Sequence, residues 1–187
     1  LDDGAKRITR HTKSMIRGST EPIFAFLNLM DAHPPLQHTY GYDNTMHDVP
    51  NSWSSLGFDY WEIRRDGAIE KNTEDIQYFK AIYRTDIDYL DRVVTGLISD
   101  IHSITNCETT VIVTADHGED LGDSPLDSSF GHTGSLSEGL LHVPLELYNP
   151  PQGYKSVYDN LVSHLDLAQL IMSIADESDC DISRTVA

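Results

Sequence analysis

The residues best suited to chemistry stand in three short segments. The first is Asp116-His117-Gly118-Glu119-Asp120. A carboxylate followed by an imidazole suits a divalent cation that accepts oxygen and nitrogen ligands. Gly118 permits the backbone to turn both side chains toward one point. The same pair also reads as an Asp capping a turn beside a surface His, and the spacing leaves both readings open. The second segment is Phe130-Gly131-His132-Thr133-Gly134. Glycines close to His132 on both sides suggest close approach of the backbone to another group. His132 then reads as a third ligand, as a donor to an anionic substrate, or as a plain loop histidine. The third is Asp31-Ala32-His33-Pro34-Pro35, where two prolines stiffen the loop. A rigid histidine suits general-acid work on a leaving group; the alternative is a turn residue that happens to be His. His11, His38, His47, His102, His142 and His164 read as structural, with His38 and His47 placed where they would line a substrate rim.

These segments need a scaffold. Residues 5–18 form a predicted basic helix carrying Lys6, Arg7, Arg10, Lys13 and Arg17. Pro22 then resets the backbone, and residues 23–30 read as a buried strand, being apolar, short and bounded by Pro22 and Asp31. Residues 31–72 are expected to be irregular. Their aromatics (Tyr40, Tyr42, Trp53, Phe58, Tyr60, Trp61) favour a functional loop that packs down over a disordered one. From about 73 to 103 the apolar residues keep helical spacing. The β-branched run 109–115 predicts a strand, residues 116–142 a second irregular stretch, and 143–148 another strand with Pro144 at its start. Ser163 with Asp166 marks the start of a helix reaching about Ala175. The order predicts an α/β fold with a largely parallel or mixed central sheet flanked by helices. His33 and Asp116-His117 both follow predicted strands, at the sheet edge where ligands bind in such folds. If those strands are neighbours, the two segments meet.

Composition narrows the partners. Of 187 residues, 13 are Lys or Arg and 30 are Asp or Glu, giving a net charge of −17. That balance excludes a phosphate backbone or a polybasic membrane patch, both of which need a basic face. The 39% hydrophobic content supports a packed core. Acidic residues spread along the chain, with only five lysines, fit a salt-adapted (halophilic) source. No stretch is apolar for the 18 residues a membrane span requires. No signal peptide opens the chain, so the expected location is cytoplasmic. Because the first residue is Leu1, the chain is expected to begin within a longer protein. Cys107 and Cys180 have neither zinc nor disulfide-framework spacing and read as reduced and structural.

Several segments, in collinear order over about residues 22–176, resemble the C-terminal part of a sulfatase, a family of the alkaline phosphatase superfamily. They are Phe26-Leu27-Asn28-Leu29-Met30-Asp31-Ala32-His33-Pro34-Pro35, Tyr83-Arg84-Thr85-Asp86-Ile87-Asp88-Tyr89-Leu90-Asp91, Thr114-Ala115-Asp116-His117-Gly118-Glu119-Asp120-Leu121-Gly122-Asp123, His132-Thr133-Gly134-Ser135-Leu136 with Glu138, Val143-Pro144-Leu145, and Ser163-His164-Leu165-Asp166-Leu167-Ala168. The resemblance implies a single alkaline-phosphatase-like domain over 1–187 that lacks its N-terminal strands. It implies that Asp116 binds metal, with His117 as the neighbouring ligand. His33 would contact the sulfate and assist the leaving oxygen. His132 stands where many members carry a sulfate-binding Lys, a departure that makes it a donor or a metal ligand. The implied metal is calcium first, with manganese, magnesium or zinc as alternatives. Calcium usually takes about 6–8 oxygens, so further carboxylates would come from elsewhere. The family's nucleophile lies in a C/S-x-P-x-R segment, and no such segment occurs in these 187 residues. The implied function is a metal-dependent sulfuric ester hydrolase whose nucleophile lies upstream, with this chain alone inactive. The alternatives are a metal-dependent phosphodiesterase or phosphotransferase acting on phosphate esters, or a non-catalytic truncated domain.

Overall fold

The computed structural model describes residues 4–38, 43, 45–66, 68–71, 73–106, 108–123, 129–154, 157 and 161–176. Tyr40, Tyr42, Cys107 and Cys180 lie outside that set. Helix α1 runs Ala5–Gly18, the span the sequence predicts. A short helix α2, Tyr60–Arg65, follows, then the 32-residue α3, Glu74–Thr105. At about 1.5 Å per residue α3 is close to 50 Å long. Glu74 and Asp75 sit in its first turn, where the helix dipole favours negative charge. It ends at Asn106 in the left-handed conformation (φ 51°), whose N–H donates to the His102 carbonyl. Gly96 does not interrupt it.

Strand β1 is Val111–Thr114, β2 is Asp120–Leu121 and β3 is Phe130–Gly131; helix α4 is Glu138–Leu141 and β4 is Leu145–Tyr148. A 3₁₀ turn at His164–Asp166 leads into α5, Leu167–Ala175. Ser163 accepts a hydrogen bond from the Leu165 N–H and so starts this element, as its position in the sequence suggests.

One expectation needs correction, and the expected central sheet is not seen among the described residues. Among the described residues the sheets are two-stranded and antiparallel, β1 with β4 (Val111 opposite Tyr148) and β2 with β3 (Asp120 opposite Gly131). No larger parallel or mixed sheet forms among them. Length does not decide the direction, because residues 115–144 could hold a crossover; they contain the β2–β3 hairpin and α4 instead, and β4 returns antiparallel to β1. Residues 23–30 form no strand, because among the described residues no neighbouring backbone pairs with them. Phe24 and Phe26 are 70% and 83% exposed.

The stretch from 31 to 72 does pack down, but it is less irregular than expected. It contains α2 and an isolated bridge between Gln37 and Ser54. Leu36 and Ser55 hold each other through two hydrogen bonds of 2.7 and 2.8 Å. The stretch 116–142 likewise contains the β2–β3 hairpin and α4.

The main core joins Leu36, Val49 and Ile69 of the long connection to Ile76, Phe79 and Ile82 of α3 and Phe130 of β3. Phe79 and Phe130 are fully buried, with ring centroids 4.9 Å apart. A second cluster packs α1 on α3. Ala5, Thr9 and Thr12 recur at helical spacing and are buried, and their small size lets Ala5 reach Tyr89. Lys13 Nζ closes this contact on Asp100 at 2.6 Å. Behind the hairpin, Lys80 of α3 pairs with Asp123 at 2.7 Å. The Thr114 hydroxyl donates to the Pro144 carbonyl (2.7 Å) and accepts from His164 Nε2 (3.1 Å), linking the β1–β4 pair to the start of α5.

Candidate functional site

Three loops converge beside the hairpin. The loop after β1 carries Asp116, His117 and Glu119, and the hairpin's return strand delivers His132. The start of the long connection carries His33. Gly118 ties the loop after β1 to the α4 segment. Its N–H donates to the Leu140 carbonyl at 2.9 Å, and a Cβ there would stand 2.0 Å from the Gly139 carbonyl oxygen. Only glycine fits that approach. Gly131, at φ 86°, is equally constrained, since a Cβ would come within 2.8 Å of the Tyr60 ring. The glycine before His132 therefore marks close packing, as the sequence suggests.

Asp120 is buried and accepts from the hydroxyls of Ser135 (2.8 Å) and Ser137. The Ser137 oxygen in turn caps α4 by accepting from the Leu140 N–H. One carboxylate thus locks the 135–140 segment against the loop that carries His117 and Glu119.

The imidazoles form a run. His33 lies 5.4 Å from His132 between ring centroids, and His132 stacks on His117 at 4.8 Å. Each has its Nδ1 engaged: His33 with the Pro34 carbonyl (2.6 Å), His117 with the Gly118 carbonyl (2.7 Å), and His132 with Glu119 Oε2 (2.9 Å). The Pro34 and Gly118 carbonyls can only accept, so Nδ1 of His33 and of His117 carries the hydrogen, and Nδ1 of His132 carries it when Glu119 is ionised. In the neutral rings the lone pair then sits on Nε2, the arrangement that second-shell partners impose on metal-binding histidines.

Glu119 is the residue that sequence reasoning passed over. Its side chain is 4% exposed, and Oε1 is buried without a hydrogen-bond partner. Burial pushes its carboxyl above the ordinary range, against the opposing pull of His132, His117 and His33. Glu119 also helps to raise the Tyr60 phenol, which burial chiefly drives up to about 12. A signal was available: in extended backbone, residues two apart face the same side, which pairs Glu119 with His117.

The structure therefore brings His33, His117 and His132 together around Glu119. Ligand atoms of His117, Glu119 and His132 all lie within 4.8 Å of one another, a cluster able to hold a metal ion. The buried Oε1 without a partner and two imidazoles with free Nε2 positions fit a divalent ion of borderline softness. Asp116 is placed differently. Its carboxylate is 93% exposed, with one oxygen 3.9 Å from His117 Nε2 and the other accepting from the His117 N–H. No helix among the described residues is long and apolar enough to cross a membrane.

Comparison with known proteins follows the same outline. The family model described as Sulfatase matches residues 5–177. A curated relative described as an uncharacterized sulfatase, YidJ of Escherichia coli (strain K12), is 30% identical over 103 residues, 55% of this chain and 20% of that protein. The matched stretch thus spans about a fifth of the relative's length. No solved structure gives a significant match.

Proposed function

The chain belongs to the sulfatase family, and from that premise we propose that it supplies the metal-binding and acid-donating part of a sulfuric ester hydrolase. The observation that carries this reading is the convergence of three Nδ1-anchored histidines on one buried carboxylate. The family's nucleophile segment is absent from these 187 residues, so the nucleophile is contributed by a part of the protein outside them.

A divalent ion held at the cluster supplies charge stabilisation to the ester oxygens. His117, Glu119 and His132 would hold it, and Asp116, exposed beside His117, would be a further ligand. Hydrogen bonds from Nδ1 fix the orientation of each imidazole. His33, tied to Pro34, offers Nε2 toward the substrate; in its protonated form it delivers a proton from Nε2 to the departing alkoxide oxygen.

The test uses the whole protein that contains this sequence. Asp116→Asn is expected to lose bound metal and aryl sulfate hydrolysis together; retained turnover removes Asp116 from the mechanism. His33→Gln is expected to lower kcat by about 10²–10⁴ on esters with poor leaving groups. The loss should be much smaller on 4-nitrophenyl sulfate, whose leaving group needs no proton. An equal loss on both substrates would deny His33 the general-acid role.

One observation favours a second reading. Two imidazoles in the donor set suit zinc or manganese better than calcium, and metals of that type commonly serve phosphoryl transfer. Rates on matched aryl sulfate and aryl phosphate esters, measured with each metal, separate the two.

A further inference from the structure

A second pair of histidines stands apart from the first. His38 and His47 meet in the long connection with ring centroids 5.1 Å apart and planes inclined at 64°. No ring contact joins them to His33, His117 or His132 among the described residues. Both ring nitrogens of His38 and Nε2 of His47 are buried without a hydrogen-bond partner.

The remaining nitrogen, His47 Nδ1, accepts from the Val49 N–H at 3.1 Å. An accepting Nδ1 carries no proton, so in the neutral ring the hydrogen is on Nε2. Neutral His38 must also carry one N–H. Among the described residues the pair therefore buries two N–H donors with no acceptor, an arrangement that costs free energy while unmet. Coordination of a metal through His47 Nε2 would require the Val49 contact to break, which argues against a metal here. What the pair lacks is an oxygen acceptor.

The walls are firm. The Gln37–Ser54 bridge and the paired Leu36–Ser55 hydrogen bonds hold the chain just before His38, and buried Val49 holds the chain just after His47. Asp48, the adjoining acid, is exposed and makes no hydrogen bond to either ring.

We propose that His38 and His47 form a second binding site, distinct from the His117–Glu119–His132 cluster, that takes an oxygen of an oxyanion such as sulfate. The site stands whether or not the hydrolase reading holds. Both rings donate to the anion through their N–H groups.

The test is a sulfate titration of the whole protein that contains this sequence, at constant ionic strength with chloride as the balancing anion, following the imidazole ¹H–¹⁵N signals. The signals of His38 and His47 are expected to shift together and to saturate. In His47→Phe the His38 response is expected to vanish, while the signals of His33, His117 and His132 stay as in the parent. Should that variant fold poorly, His38→Gln provides the check: the rise in melting temperature that sulfate gives over chloride is expected to disappear. A resident water would satisfy the same donors with no response to sulfate, and that outcome overturns the proposal. So does a shift confined to the His33–His117–His132 group.

Discussion

The long connection between residues 31 and 72 and the apolar run at 23–30 exchange the roles their sequences suggest. The connection is full of prolines and glycines, yet it buries Leu36, Val49 and Ile69 and ties Trp53 Nε1 to Asp75 on α3 at 3.0 Å. The run at 23–30 has the stronger strand pattern, yet its aromatic side chains lie open. A strand pattern gives an unpaired backbone nothing to bond to; it takes effect only where a second strand is in place. Irregular chain can be buried when a helix face is waiting for it. Here Ile76, Phe79 and Ile82 provide that face, and the candidate site is assembled on the far side of the same packing.

The sharpest way to break this contrast is to hollow the core. Phe130→Ala is expected to cost about 3–5 kcal/mol, read from denaturant unfolding, since the ring is fully buried between Tyr60 and Phe79. A loss near zero would mean that the long connection does not pack as described. Next comes the join between the loop after β1 and the α4 segment. Gly118→Ala drives a methyl group into the Gly139 carbonyl and is expected to cost about 1–3 kcal/mol. Metal retention at the neighbouring cluster should fall with it, and full retention would show that the join is not what sets the site.

A smaller effect appears at high pH. Tyr60 keeps its proton in the folded chain until about pH 12, whereas an unfolded tyrosine releases it from about pH 10. The unfolded state then binds fewer protons, so stability falls as pH rises through that window. Tyr60→Phe should remove this fall, and its stability relative to the parent should improve from pH 10 to 12. A constant difference across the window would place Tyr60 outside the core. The smallest effect is expected on the open segment. Phe26→Ser should change stability by less than about 0.5 kcal/mol, because the side chain is already in water. A loss comparable to that of Phe130→Ala would erase the contrast between the two regions.

Much of the scaffold was legible in the sequence. Helical spacing located α3 closely, because its apolar stripe is long and it carries its own end signals; α1 was read as a basic helix with few apolar positions, and it buries only Ala5, Thr9 and Thr12. The β-branched run gave β1, and Ser163 gave the start of the last helical element. Pairing direction was not legible. It depends on how the chain returns from β1, and neither strand records that locally. At the site, His33, His117 and His132 stood out as imidazoles beside proline or glycine. Glu119 did not, in a chain with 30 acids. What distinguishes it is burial, which depends on how the three histidine segments come together and not on its own neighbours in the chain.

The clamp at Asp120 bears on how this protein can vary over evolutionary time. Ser135, Ser137 and the Gly118–Leu140 contact fasten the hairpin at its base, below the connection from Asp123 to Ser129. Because the base is fastened, the separation of Glu119 and His132 does not depend on the length of that connection. Doubling it would add only about 0.6 kcal/mol of closure entropy. Insertions between residues 123 and 129 are therefore the inexpensive ones, and related proteins can differ in length there while keeping one geometry for the histidines.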